Sequence, residues 1–275
     1  MCGGIAGINS IGNIVNCYTT EDTIIIASNT VNGKAGGIVG WNHSAISGCY
    51  NLATVRSEAH AGGIVGISEH QGIVDRDKRK IQNCYNRGDI VSSGGCAGGI
   101  VGAGTDVEIY YCYNTGDVTG ATFGGGISGG ISPQNYTAIV KNTYNTGYIY
   151  ASEDTSIVGG ILGGTDAGEV EISNSYNEGR IAKAKYSGGI VGQLLSSASD
   201  GDPIVSKCYY KTGSADVAFD WAVMEDGAYA SGDIAGSGEV TSSMPTILSI
   251  VNVGSAYTSD TKNINDGYPI LRWQV

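Results

Sequence analysis

A five-residue pattern, Gly-Gly-Ile-x-Gly, recurs seven times and constrains the fold more than any other property of the chain. It starts at Gly3, Gly36, Gly62, Gly98, Gly125, Gly159 and Gly188. Ile holds the third place every time, from Ile5 to Ile190, while the fourth drifts among Ala6, Val39, Ser128 and Leu162. Each copy is followed by a second mark, a small residue and then Tyr: Cys17-Tyr18, Cys49-Tyr50, Cys84-Tyr85, Cys112-Tyr113, Thr143-Tyr144, Ser175-Tyr176 and Cys208-Tyr209. Successive starts lie 33, 26, 36, 27, 34 and 29 residues apart. Repeats of that length are stacked units, none of which buries a core alone.

Helical solenoids share this period, so local pattern must decide. Three residues before the small slot a β-branched residue stands in every unit (Ile14, Ile46, Ile81, Ile109, Val140, Ile172, Val205), and six after it come Val55, Ile90, Val118, Ile149 and Ile181. Helical spacing is absent. Glycine supplies 45 of 275 residues against only 4 prolines, more than twice the usual share of roughly 7%. Asn86-Arg87-Gly88, Asn114-Thr115-Gly116, Asn145-Thr146-Gly147 and Asn177-Glu178-Gly179 read as tight corners, because Asn bonds nearby backbone and Gly accepts positive φ. The fold class is all-β: a right-handed parallel β-helix of about seven coils, each with about three short strands, stacked ~4.8 Å apart.

If Ile faces inward, strict alternation turns its flanking glycines inward too and leaves a groove. The repeated Tyr is the expected filler, with the Cys slot facing out; a bulge at the Asn would reverse both. Five of the seven cysteines occupy a slot that also accepts Thr143 and Ser175, which favours small-residue packing over disulfides or metal. The array spans 1–212, and 213–275 reads as a C-terminal cap packed on the last coil, since a stacked sheet must cover its end. Phe219 and Trp221 are its apolar anchors, and Ser243 to Val251, with Pro245 near its start, suits a short helical turn. The first coil has no such piece: Met1-Cys2 runs straight into the repeat. That start reads as a cut inside a longer protein, and the bare coil is expected to give weak self-association.

The Gly-Gly-Ile-Val-Gly units resemble GLUG repeats of large bacterial cell-surface and secreted proteins, including non-catalytic regions of immunoglobulin A proteases. The closing Asn265-Asp266-Gly267-Tyr268-Pro269-Ile270-Leu271-Arg272-Trp273-Gln274 is similar to the segment that follows such arrays. The resemblance covers residues 3 to about 212 and the last dozen. It implies a stalk or adhesion module, cell-surface or secreted, whose partner is a host-cell glycan or protein. It carries no catalytic residues, and no His-Glu-x-x-His zinc pattern occurs.

A net charge of −11 argues against nucleic acid, and no apolar run of about 18 residues is present to insert in a membrane. His43, His60 and His70 fall at unrelated places in the repeat and read as exposed loop or edge histidines. Asp89 and Asp117 share one slot on adjacent units, as a calcium site or a carboxylate pair would require, but Tyr148 and Arg180 break that ladder. No metal, cofactor or catalytic residue is assigned, and the expectation is a non-enzyme. The alternative is a polysaccharide-binding or polysaccharide-degrading β-helix, for which Asp89, Asp117 and Arg180 are the only candidates. An ice-binding helix would need a Thr ladder, and Thr does not recur in register. Extra length must leave a solenoid as loops along one edge. The long inserts are Ser68 to Lys80, Ser132 to Lys141 and Gln193 to Val205. They make Glu69, His70, Arg76, Lys78, Arg79, Tyr136 and Gln193 the candidate ligand-binding residues.

Overall fold

The residue just before the small slot decides which side chains enter the rod. It is Asn16, Gly48, Asn83, Tyr111, Asn142, Asn174 or Lys207, and each adopts a left-handed φ between 51° and 64°. Asn and Gly tolerate that conformation best. A left-handed residue breaks the alternation, so the small slot turns inward and Tyr turns out. This corrects the expectation of tyrosines pointing into the rod and outward cysteines. Cys49, Cys84, Cys112, Thr143, Ser175 and Cys208 are all fully buried. The slot thiols of Cys49, Cys84, Cys112 and Cys208 each donate to a carbonyl two residues back, for example Cys84 to Gln82 at 3.2 Å and Cys112 to Tyr110 at 3.2 Å. All seven cysteines are free thiols.

The same corner splits each of the first five units into five strands rather than three, and the last two into four. In the second unit they are Lys34–Gly36, Val39–Asn42, Ile46–Ser47, Tyr50–Asn51 and Thr54–Ser57. The computed structural model describes residues 1–28, 32–70, 75–166, 168–195, 203–223, 229–232, 238–240 and 256–275. Among them, equivalent strands pair in register to form five long sheets of seven, nine, seven, eight and five strands. All pairs along the coils are parallel, as in Val39↔Val65↔Val101. The result is a β-solenoid of about six turns, close to the coil count expected from the repeats. Its described helical content is two 3-10 turns, Arg76–Arg79 and Arg272–Gln274.

Glycine at the second motif position has a steric reason. A Cβ on Gly37 would lie 2.0 Å from the Gly63 carbonyl oxygen and 2.4 Å from Cγ of Asn51. The groove is therefore filled by asparagine, the residue after Tyr. Asn51, Asn86, Asn114, Asn145 and Asn177 stack as an amide ladder, each Nδ2 donating to the next Oδ1 at 2.7–2.8 Å. Each Nδ2 also donates to the carbonyl two residues on, from Ala53 to Gly179. In the last unit Tyr210 takes the Asn place and its ring lies against Gly189. The ladder crosses the interior and divides it into two apolar columns. One holds the motif Ile and Val residues with the Cys slot; the other holds Ala35, Val55, Ile90, Val118 and Ile149.

Outside, Tyr18, Tyr50, Tyr85, Tyr113, Tyr144 and Tyr176 stack nearly parallel, with ring centroids 4.7–5.1 Å apart. Their burial is graded: Tyr18 is 54% exposed, Tyr113 only 3% and Tyr144 not at all. The cause is the C-terminal segment. Phe219–Val223 and Gly238–Val240 continue two sheets beyond the last coil. Residues 256–275 instead return along the flank and cover the tyrosines. Tyr257 donates to the Thr143 and Asn174 carbonyls at 3.0 and 2.8 Å. The Gln274 amide donates to the Tyr144 hydroxyl at 2.9 Å, and Tyr176 donates to the Pro269 carbonyl. Trp273 lies 5.8 Å from Tyr113 and donates to the Tyr111 carbonyl at 2.9 Å. The turn expected over Ser243 to Val251 lies outside the described residues. At the other end, the first coil leaves Ile5, Ile24 and Ile26 about half exposed or more (47%, 63% and 57%).

Candidate binding site at the loop edge

Glu108 and Tyr110 alternate with Ile109 on the outer side of the third sheet, positions that ordinarily face solvent. Glu108 is nevertheless 1% exposed, because two loops lean over it. The first is the 3-10 turn Arg76–Arg79, capped by the Asp75 carboxylate, which accepts the Asp77 N–H at 3.1 Å. Arg76 Nε donates to both Glu108 oxygens at 2.8 and 3.0 Å, and Arg79 Nη2 approaches one of them at 3.4 Å. Tyr110 donates to Glu108 at 2.8 Å, and burial together with that carboxylate pushes its phenol up to about 12.

The second loop is 132–137. Its shape comes from Asp106, fully buried at φ 53°. The Asp106 carboxylate accepts the backbone N–H groups of Gln134, Asn135 and Tyr136 at 2.8–3.3 Å. The two loops meet where the Arg79 guanidinium lies 4.2 Å over the Tyr136 ring, a cation–π contact. Beside it opens a cleft of about 410 Å³ lined by Pro133, Gln134, Asn135, Tyr136, Thr137, Gly168 and Glu169. Thr137 donates to Glu169 at 2.8 Å across its wall.

Of the residues predicted from sequence, Arg76, Arg79 and Tyr136 converge here. Lys78 is exposed on the same turn. His70 is wholly buried rather than exposed. It bonds Ser68 through Nε2 at 2.8 Å while Nδ1 has no partner among the described residues. Desolvation, with the nearby His43 and Arg79 charges, lowers it to about 4, so it stays neutral. Glu69 and Gln193 lie elsewhere, on the second sheet. Glu69 accepts the Trp41 indole N–H at 2.9 Å at the rim of a smaller groove of about 200 Å³. Gln193 follows Gly164 in register on the same sheet. Asp106 and Glu108, the residues that organise the site, were missed. Their partners come from other coils, and the one local signal was an Asp at a corner.

The groove beside Glu69 brings His60 and Cys96 together, but not as a nucleophile and base. His60 Nδ1 accepts the Cys96 backbone N–H at 3.3 Å, and burial pushes the Cys96 thiol up to about 12. Asp117 accepts the Tyr148 N–H at 2.9 Å, Arg180 lies 5.5 Å from the Tyr148 ring, and Asp89 is exposed. Among the described residues no group of three or more His, Cys, Asp or Glu is placed to hold a metal ion. None of the described helices is long and apolar enough to cross a membrane. Comparison with protein-family models, curated proteins and solved structures finds no match for the chain.

Proposed function

We propose that the chain is a non-catalytic scaffold, a stalk or binding module of a bacterial cell-surface or secreted protein, like the GLUG arrays it resembles. The observation that supports this is where the reactive groups are committed. Glu108 is locked by Arg76, Arg79 and Tyr110. Asp106 is taken up by three N–H groups, His70 is held neutral and Cys96 is held as a thiol. Hydrolysis of a polysaccharide needs an acid and a base facing one bond, and Asp117 and Arg180 serve a corner instead.

Two measurements test the reading. Incubation with plant, bacterial and host polysaccharides is expected to release no new reducing or unsaturated ends; turnover abolished by Asp117→Asn would make it an enzyme. Protease treatment of intact source cells is expected to remove the antigen; protection until lysis would rule out surface placement. Self-association through the first coil belongs to the same proposal. Sedimentation at rising concentration should show weak dimers that charged substitutions at Ile24 and Ile26 abolish, and dimers that survive those substitutions would place the contact elsewhere.

A further inference from the structure

The cleft beside Tyr136 combines three features that together define a ligand. Its shape is set in advance: the Asp106 carboxylate fixes the backbone of 134–136, and Gly168, at φ 84°, has no room for a Cβ against Pro133. A wall set in advance costs little ordering on binding. The side chains of Gln134 and Asn135 are exposed at this rim and bond nothing among the described residues. Together they offer amide donors and acceptors in pairs.

The second feature is unmet hydrogen bonding. Arg79 does not line the cleft; two of its nitrogens have no hydrogen-bond partner among the described residues, and its guanidinium, 4.2 Å from the ring centroid, fixes the Tyr136 side chain that does. The donors that do face the cleft are the exposed amides of Gln134 and Asn135, which call for acceptor oxygens. The third feature is charge. Glu169 lines the cleft, and Glu108 already balances the nearby arginines. A free carboxylate or phosphate would face that acid without a free cation in the lining. A cationic ligand would meet Glu169 but bring no acceptor for the amide donors of Gln134 and Asn135. What fits is an uncharged molecule with many hydroxyls, donors and acceptors interleaved, and an apolar C–H face for an aromatic ring. The volume of about 410 Å³ lies in the ordinary range for small-ligand clefts, ~300–1,000 Å³.

We propose that this cleft binds an uncharged saccharide, with Tyr136 as the ring platform and Gln134, Asn135 and Glu169 as hydroxyl partners. The proposal rests on the reading of the chain as a binding scaffold and names that scaffold's ligand class. Screening the whole chain on an array of neutral and acidic glycans, then titrating the best neutral disaccharide by calorimetry, tests it. At least one neutral glycan should bind, and uronic acids, sialylated and sulfated glycans should not gain from their charge. Tyr136→Ala should weaken binding at least tenfold. Gln134→Ala, at an exposed side chain that holds nothing in the fold, should weaken it about threefold with an unchanged melting temperature. An array without neutral binders overturns the proposal. So does exclusive binding of acidic glycans, or an affinity untouched by both substitutions. Cleavage of the bound sugar would instead leave the site standing and overturn the non-catalytic reading.

Discussion

Tyr113 and Asn114 are neighbours in the chain, yet their ladders are held by different physics. Asn114 faces inward, where each amide must satisfy the one above and below. Buried polar chains of this kind are stable only when complete. Its slot admits Thr19 and Tyr210 only in the first and last units. Tyr113 faces outward, and its burial depends on what covers it. Along one stripe, identical tyrosines run from exposed Tyr18 to buried Tyr176 as the C-terminal segment comes over them. The inner ladder is set by the coil itself, the outer one by a distant piece of chain.

Breaking the inner ladder should have the largest effect. Asn114→Ala removes two bonds donated by its amide and the one accepted from Asn86. At 1–3 kcal/mol for each orphaned buried partner, the cost is about 5 kcal/mol. Urea unfolding should show it, and a loss below ~2 kcal/mol would make the ladder incidental. In the outer ladder, Tyr176→Ala should cost about 4 kcal/mol, because the ring is 1% exposed and its hydroxyl holds Pro269 and Asn265.

Alkali separates the two ladders without mutation, since amides do not titrate. Burial pushes Tyr113 up to about 12, and Tyr144 and Tyr176 well above the ordinary phenol value of 10.0. Above pH 10 the unfolded chain gives up these protons while the folded chain keeps them. Stability is thus full below pH 10 and falls as pH rises to 12 and beyond, by ~1.4 kcal/mol per pH unit for each such tyrosine. Absorbance at 295 nm should register their ionisation together with unfolding; smooth titration of a folded protein near pH 10 would contradict the covered ladder. His70 gives the opposite slope in acid. Its lowered value, about 4, means stability is full above pH 6.5 and declines toward pH 4, a fall that His70→Gln should remove. The smallest effect belongs to Tyr18→Ala, below ~0.5 kcal/mol, in the same slot as Tyr176 but uncovered.

Much of the architecture was legible because the Gly-Gly-Ile motif reports a stacking constraint that every coil must meet. The facing of the Tyr-Asn pair was not, although its signal was printed in the chain. Asn16, Asn83, Asn142, Asn174 and Gly48 precede the small slot, and their left-handed φ is what flips the alternation. The last twenty residues were expected at the end of the rod because a stacked sheet must be covered there; with Tyr facing out, Trp273 and Tyr257 cover the flank instead. At the loop edge the insert lengths identified Arg76, Arg79 and Tyr136. Glu108 and Asp106 carried no such signal, because the arginines and backbone N–H groups they hold lie 28 to 32 residues away in sequence.

The returning C-terminal segment also has a mechanical consequence. Hydrogen bonds between coils point along the rod, so axial tension on a bare solenoid peels it one coil at a time. Residues 256–275 touch Tyr85, Tyr113, Tyr144, Tyr176 and, through Tyr268, Lys211. They therefore clip the third to seventh units side to side, as a splint does, and leave the first two outside the clip. Under load from its first residue the rod should release two steps of ~30 residues, each lengthening it by roughly 100 Å at ~3.3–3.6 Å per residue. The splinted part should then hold to a higher force and yield as one piece.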